Sequence, residues 1–238
     1  MKLIFFFLFA CTHSGLQAQI AELNTAKDCQ YMTAAEREMI YEINKLRSDP
    51  SSYLQYILPL LESAKKTVKI YGKGPKNYSL RFSSTHGTDK NNIDTTWHYQ
   101  YEEEVKALES LVKDLKKIKS LSVLKPDPGI YAAAIQHAKD QEEHEWKLAH
   151  TGTDGSAPWD RIKRNSEQMD FGNENIAGQS GQPTPRDIVI QLLVDSGIPG
   201  YGHRYNMLDP QWTHVACKGE KFTDGMNWWL QEFGKAKK

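Results

Sequence analysis

Three stretches of this chain gather the residue types that do chemistry. Residues 150–161 read HTGTDGSAPWDR, residues 172–178 read GNENIAG, and residues 195–208 read DSGIPGYGHRYNML. Each is glycine-rich, lies between expected regular elements and sets His, Glu or Asp near a helix end. Loops held by a rigid scaffold are where function usually sits. Two imidazoles on opposing loops suit a divalent metal such as zinc, with neighbouring carboxylates to orient or ligate. The same groups suit acid–base chemistry. They equally suit hydrogen bonding that merely ties loops together, because buried polar groups must find partners.

Other chemical residues read more plainly. His137 falls on the inner side of a helix and reads as a packed core histidine. His144-Glu145 begins a zinc-protease motif, but Leu148 stands where H-E-x-x-H needs its second histidine. Ser156 lacks the G-x-S-x-G context of a nucleophile elbow. Trp228 and Trp229 are adjacent and so alternate across a strand.

The elements that must hold these loops follow from pattern. Thr33 and Glu36 form a T-x-x-E capping box ahead of Met39, Ile40, Ile43 and Leu46 at helical spacing. Asp49-Pro50 ends that helix and starts another, carrying Leu54, Ile57, Leu60 and Leu61, with Pro59 expected to kink or shorten it. Residues 66–100 hold glycines and asparagines and few aliphatic residues, the mark of a long loop or an irregular insert. Residues 101–119 return to a helical stripe with a charged, solvated outer face. Asp127-Pro128 opens another helix, and a further one runs from Pro185 to a stop at Gly197. Residues 213–219 and 227–233 read as strands, with Asp224-Gly225 as the turn between them. Helices first and strands last point to an α+β layered domain.

The three loops, in this order, resemble the bacterial branch of the CAP superfamily, the SCP-like proteins that include cysteine-rich secretory proteins, antigen 5 and pathogenesis-related proteins. The resemblance covers Asp127 to Phe233, and the segment YEINKLRSDP at 41–50 is similar to the same branch. It implies an α-β-α sandwich with a central cavity lined by two histidines and two acids. Carried over by motif, these are His150, Glu174, Asp195 and His203, with His150 and His203 as the metal ligands. Asn173 stands where that family usually has glycine. On this reading residues 126–238 are the CAP core, and residues 19–125 are N-terminal helices with the 66–100 insert, packed on it.

The whole chain sets the surroundings. It has 238 residues, 39% of them apolar and 25% charged, with 30 basic and 30 acidic side chains. That balance gives no field to draw nucleic acid or an anionic membrane. Lys2, the apolar run LIFFFLFA and the small residue Ala18 lay out a secretory signal peptide over residues 1–18. The segment ending at Cys11 also resembles a lipoprotein box, so a tether through Cys11 stands beside simple release. No run is long enough to span a bilayer. The protein is thus expected to be secreted or periplasmic. Cys29 and Cys217 then form an even pair in an oxidising compartment, and a disulfide between them is expected, the alternative being two buried thiols. The function expected is a non-catalytic module holding a divalent metal or a small ligand such as a lipid, sterol or peptide. A metal-dependent hydrolase or protease, and an envelope interaction protein with no cavity ligand, are the alternatives.

Overall fold

The computed structural model describes residues 22–83, 92–144, 149–221 and 225–238. The leader at 1–18 with Cys11, the pair Glu145 and Leu148, and Asp224 of the expected turn lie outside them. Helix α1 (Ala34–Ser48) starts on the expected capping box: the Thr33 amide donates to Glu36 Oε2 at 2.7 Å and the Glu36 amide to Thr33 Oγ1 at 3.3 Å. A 3₁₀ turn, Pro50–Tyr53, leads into α2 (Leu54–Tyr71). That helix continues past Pro59 rather than ending there.

The insert departs from expectation. Residues 66–71 belong to α2, and β1 (Lys76–Ser83) and β2 (Asn92–Tyr99) pair as an antiparallel ribbon. Alternating residues such as Tyr78, Leu80 and Phe82 carry strand periodicity that the flanking glycines and asparagines hide. Helix α3 (Gln100–Lys117) follows and packs on α2.

Next come β3 (Lys125–Pro126), α4 (Pro128–Glu143), α5 (Pro158–Asn165) and β4 (Met169–Ser180). Then come α6 (Pro185–Val194), α7 (Gly202–Leu208), β5 (His214–Lys221) and β6 (Met226–Ala236). Four strands make one sheet in the order β3-β5-β6-β4, with β3 parallel to β5 and the other pairs antiparallel. The terminal strands match expectation. Two other features do not. The segment 172–178 lies within β4 rather than in a loop, and α6 stops at Val194, three residues before Gly197, with Asp195 in the left-handed region at φ 53°.

Alternation along β6 builds the layers. Leu230 packs with Ala138 of α4, and a Cβ on Gly234 would lie 2.5 Å from Ile130 Cδ1 of the same helix. The opposite face carries Gln231, whose Nε2 donates to Met39 Sδ of α1 at 3.4 Å. Helices α4 and α5 therefore cover one face of the sheet, and α1 with α6 covers the other. The result is an α-β-α sandwich with its core between Met39, Ile43, Leu193, Val215 and Phe233, all fully buried. Trp228 and Trp229 are both buried on β6, on opposite faces.

The expected Cys29–Cys217 disulfide is absent: both thiols are free. Cys217 sits on β5 as a fully buried core residue, and burial pushes its thiol well up, away from the reactive thiolate. Cys29 lies in a turn whose carbonyl accepts from Met32 N and Arg37 Nη1, and its side chain bonds Tyr31. Both cysteines act as small packing groups.

Candidate functional site

The four residues named by motif come together at the outer edge of β4. Glu174 and Asn175 are neighbours on this strand, so their side chains point to opposite faces. Glu174 faces the α4–α5 layer and receives His150; Asn175 faces the other layer and holds α7, which carries His203. The histidine rings stand 6.3 Å apart between centroids, tilted by 46°.

Each imidazole is held through Nδ1 by a buried carboxylate. His150 Nδ1 lies 2.9 Å from Glu174 Oε1, and His203 Nδ1 lies 2.7 Å from Asp195 Oδ1. Asp195 grips twice, since its Oδ2 also accepts the backbone N–H of His203 at 3.0 Å. The left-handed backbone at Asp195 turns its carboxylate back onto α7; aspartate tolerates that region better than most residues. Asn175 Nδ2 donates to the His203 carbonyl at 3.1 Å. Assigned from these partners, both rings carry their proton on Nδ1, leaving Nε2 as a lone-pair donor with no protein partner among the described residues. His203 is about one-fifth exposed and His150 about half exposed. Desolvation on its inner side lowers the pKa of His150, which keeps the ring neutral.

Two arginines fix this arrangement. Arg161 of α5, fully buried, donates to Glu174 Oε2 at 3.1 Å, to the His150 carbonyl at 3.1 Å and to the Ser156 carbonyl at 2.8 Å. It ties the 150–161 loop to β4 and supplies the positive charge beside Glu174. Arg204 of α7 donates to the carbonyls of Leu193, Val194 and Ala107 and pairs with Asp114 at 2.9 Å. It anchors the helix of His203 to the end of α6 and to α3. His137 is buried as expected, its Nε2 3.0 Å from the Ala149 carbonyl, and burial lowers its pKa to about 4.

Behind Glu174 lies Glu232, directly opposite it in the β4–β6 register and fully buried. If both were carboxylates, neither Glu232 oxygen would have a donor. A proton on Glu232 resolves this, because the acid can donate to Glu174. Burial and the charge of Glu174 push Glu232 well up. Burial also raises Glu174, opposed by the hydrogen bond from Glu232 and by Arg161. Because Arg161 and His150 both bond Glu174 and neither bonds Glu232, Glu232 is the member pushed further toward its protonated form.

The residues suit a modest metal site. Carboxylate-held imidazoles with free Nε2 atoms have the chemistry of metal-ligating histidines. Only two such imidazoles lie side by side, and no set of three His, Cys, Asp or Glu among the described residues is arranged around one ion. Water would have to complete any shell.

Sequence reasoning did not assign Arg161, Arg204, Asn175 or Glu232 to the site. The first three lie inside the quoted segments. The signal for Glu232 is an acid in the middle of the apolar run NWWLQEFG.

The chain is 22% identical over 222 residues to the uncharacterized protein YkwD of Bacillus subtilis, spanning 92% of this chain and 81% of that one. It is similar to an outer surface protein from Borrelia burgdorferi, with 23% identity and a TM-score of 0.42 over 57% of this chain and 95% of that one. It is also similar to an extracellular protein containing a SCP domain from Bacillus anthracis, with 18% identity and a TM-score of 0.37 over 60% and 47% of the two chains. The model of the cysteine-rich secretory protein family, CAP, matches residues 109–233, more than half of the sequence, and the chain belongs to that family.

Proposed function

We propose that this protein is a non-catalytic binding module that works outside the cytoplasm and holds a divalent metal or a small ligand in the cleft between His150 and His203. One observation carries the reading: two imidazoles lie side by side, each locked by a buried carboxylate on Nδ1 with Nε2 left over. Such locking fixes tautomer and orientation before any ligand arrives, which lowers the cost of binding. The apolar leader supports work outside the cytoplasm, and release is preferred to a tether through Cys11.

His150 and His203 would be the metal ligands, with Glu174 and Asp195 as the orienting shell. Two nitrogens give weaker binding than a four-ligand structural site. Calorimetry with zinc tests this on the native chain and on His203→Ala. Native protein is expected to bind zinc, less well at acid pH because a protonated imidazole cannot ligate. The variant is expected to lose binding while keeping its fold. Equal binding by the two proteins would remove the metal from the proposal.

A further inference from the structure

A groove of about 1140 Å3 opens beside His203 and runs between the edge of β4 and helix α2. Part of its wall comes from outside the family-matched region: Gln55, Tyr56, Pro59 and Leu60 of α2, and Glu104 of α3. The larger part includes the last stretch of β4, residues 176–179, and Ile190 and Asp195 toward the end of α6. Three properties of this wall point to one class of ligand.

The first is charge. Carboxylates of Glu104, Asp187 and Asp195 line the groove, and among the described residues no lysine or arginine does. Asp187 accepts from Thr184, and Asp195 holds His203. Glu104 is exposed and has no ion pair among the described residues. Lys45 and Arg186 stack on the Tyr56 ring, and Arg186 is bound to Glu42 at 2.6 Å. A fatty acid or other anionic amphiphile would meet three like charges along the wall, which is unfavourable. A cationic group would be drawn in.

The second is backbone. β4 pairs with β6 on one side only, and no strand among the described residues pairs with its other side. On that open side the Gly178 carbonyl takes a side-chain donor, Gln191 Nε2 at 3.2 Å. Across the groove, Pro59 has no N–H to give the Gln55 carbonyl, its usual partner four residues back. The unpaired edge of β4 is the wall that offers main-chain groups to an extended chain. The third is apolar surface: Leu60 and Ile198 line the groove and keep 41% and 43% of their surface exposed.

We infer that the groove binds an extended peptide segment bearing a lysine or arginine side chain, laid along the open edge of β4 and drawn in by the carboxylates of Glu104, Asp187 and Asp195 spread along its wall. The inference builds on the reading of the protein as a binding module and names its ligand class, but it does not require a metal.

Fluorescence anisotropy tests it on the mature chain with two fluorescein-labelled heptapeptides. Both alternate valine and serine; one has a central lysine and the other a central glutamate. The lysine peptide is expected to bind saturably and the glutamate peptide at least about five-fold more weakly, from the three charges together. Added salt should narrow that gap. Glu104→Lys, on an exposed helical position, is expected to shrink or reverse the preference, and Leu60→Asp to weaken the glutamate peptide further. Equal binding of both peptides, no saturable binding, or displacement of the lysine peptide by dodecanoate would each overturn the inference. Zinc binding, measured in parallel, separates the two readings. A protein that takes zinc but neither peptide fails here alone, and one that takes the lysine peptide but no zinc fails only on the metal.

Discussion

Glu232 is the residue whose state most affects its surroundings, because it shares a buried space with Glu174 and has no cation of its own. The sign of its pH effect follows from its raised pKa. Above the unfolded value for glutamate, the unfolded chain has released the proton that the native state keeps. Native stability therefore falls as pH rises from that value through the folded one. Glutamine mimics the protonated acid and cannot ionise. Glu232→Gln is expected to match the native protein near pH 4 and to exceed it by about 1–3 kcal/mol near pH 8, measured by denaturant unfolding at both values. A difference that does not widen with pH would mean that Glu232 is already charged in the fold. His137 contributes the opposite slope, since its pKa is lowered to about 4: stability rises with pH up to its unfolded value. Comparing one variant with its parent cancels that term.

Helix α7 is only seven residues long, yet it carries His203, so its position depends on its anchors. Arg204 provides them by satisfying carbonyls of α6 and α3 while stacking over Tyr201 at 4.1 Å. Arg204→Met is expected to cost about 3 kcal/mol or more, because it leaves those carbonyls and Asp114 unpaired. Thr184→Ala, which removes only the capping box of α6, should cost about 1 kcal/mol. Unfolding midpoints of the two variants decide whether the arginine outweighs the cap as stated. Elements of this kind were partly legible in the sequence. The capping box of α1, the starts of α4 and α6 and the two terminal strands follow from local signals that act over three or four positions, whereas the four cleft residues came from the resemblance of three ordered segments to a family. What was hidden depends on distant partners. The GNENIAG segment has the glycines of a loop, yet it is held as a strand by pairing with residues 228–234 of β6. The ribbon of β1 and β2 was masked by turn residues around a short alternating run. The cysteine pair looked like a crosslink on compartment and parity alone, and neither reports which way a side chain points.

At the scale of the molecule, the ribbon and the sandwich are separable. β1 and β2 pair with each other and with no strand of the four-stranded sheet. Their base is closed by Gln100 N donating to the Pro75 carbonyl at 3.0 Å. Replacing residues 77–98 with a two-residue glycine turn is expected to leave the thermal midpoint within a few degrees, equivalent to about 1 kcal/mol. A large drop would mean that the ribbon braces the core. The first helix is the opposite case. Glu36 of α1 accepts from Lys218, 182 positions later, Arg47 donates to the Met207 carbonyl 160 positions later, and Glu42 binds Arg186 144 positions later. A chain growing from its N-terminus therefore makes this helix long before its partners exist. Its face of Met39, Ile40 and Ile43 stays open until the last strands are made. Closure depends on contacts of such long range that it is slow, and the newborn chain stays loose enough to be threaded through a narrow channel before it locks.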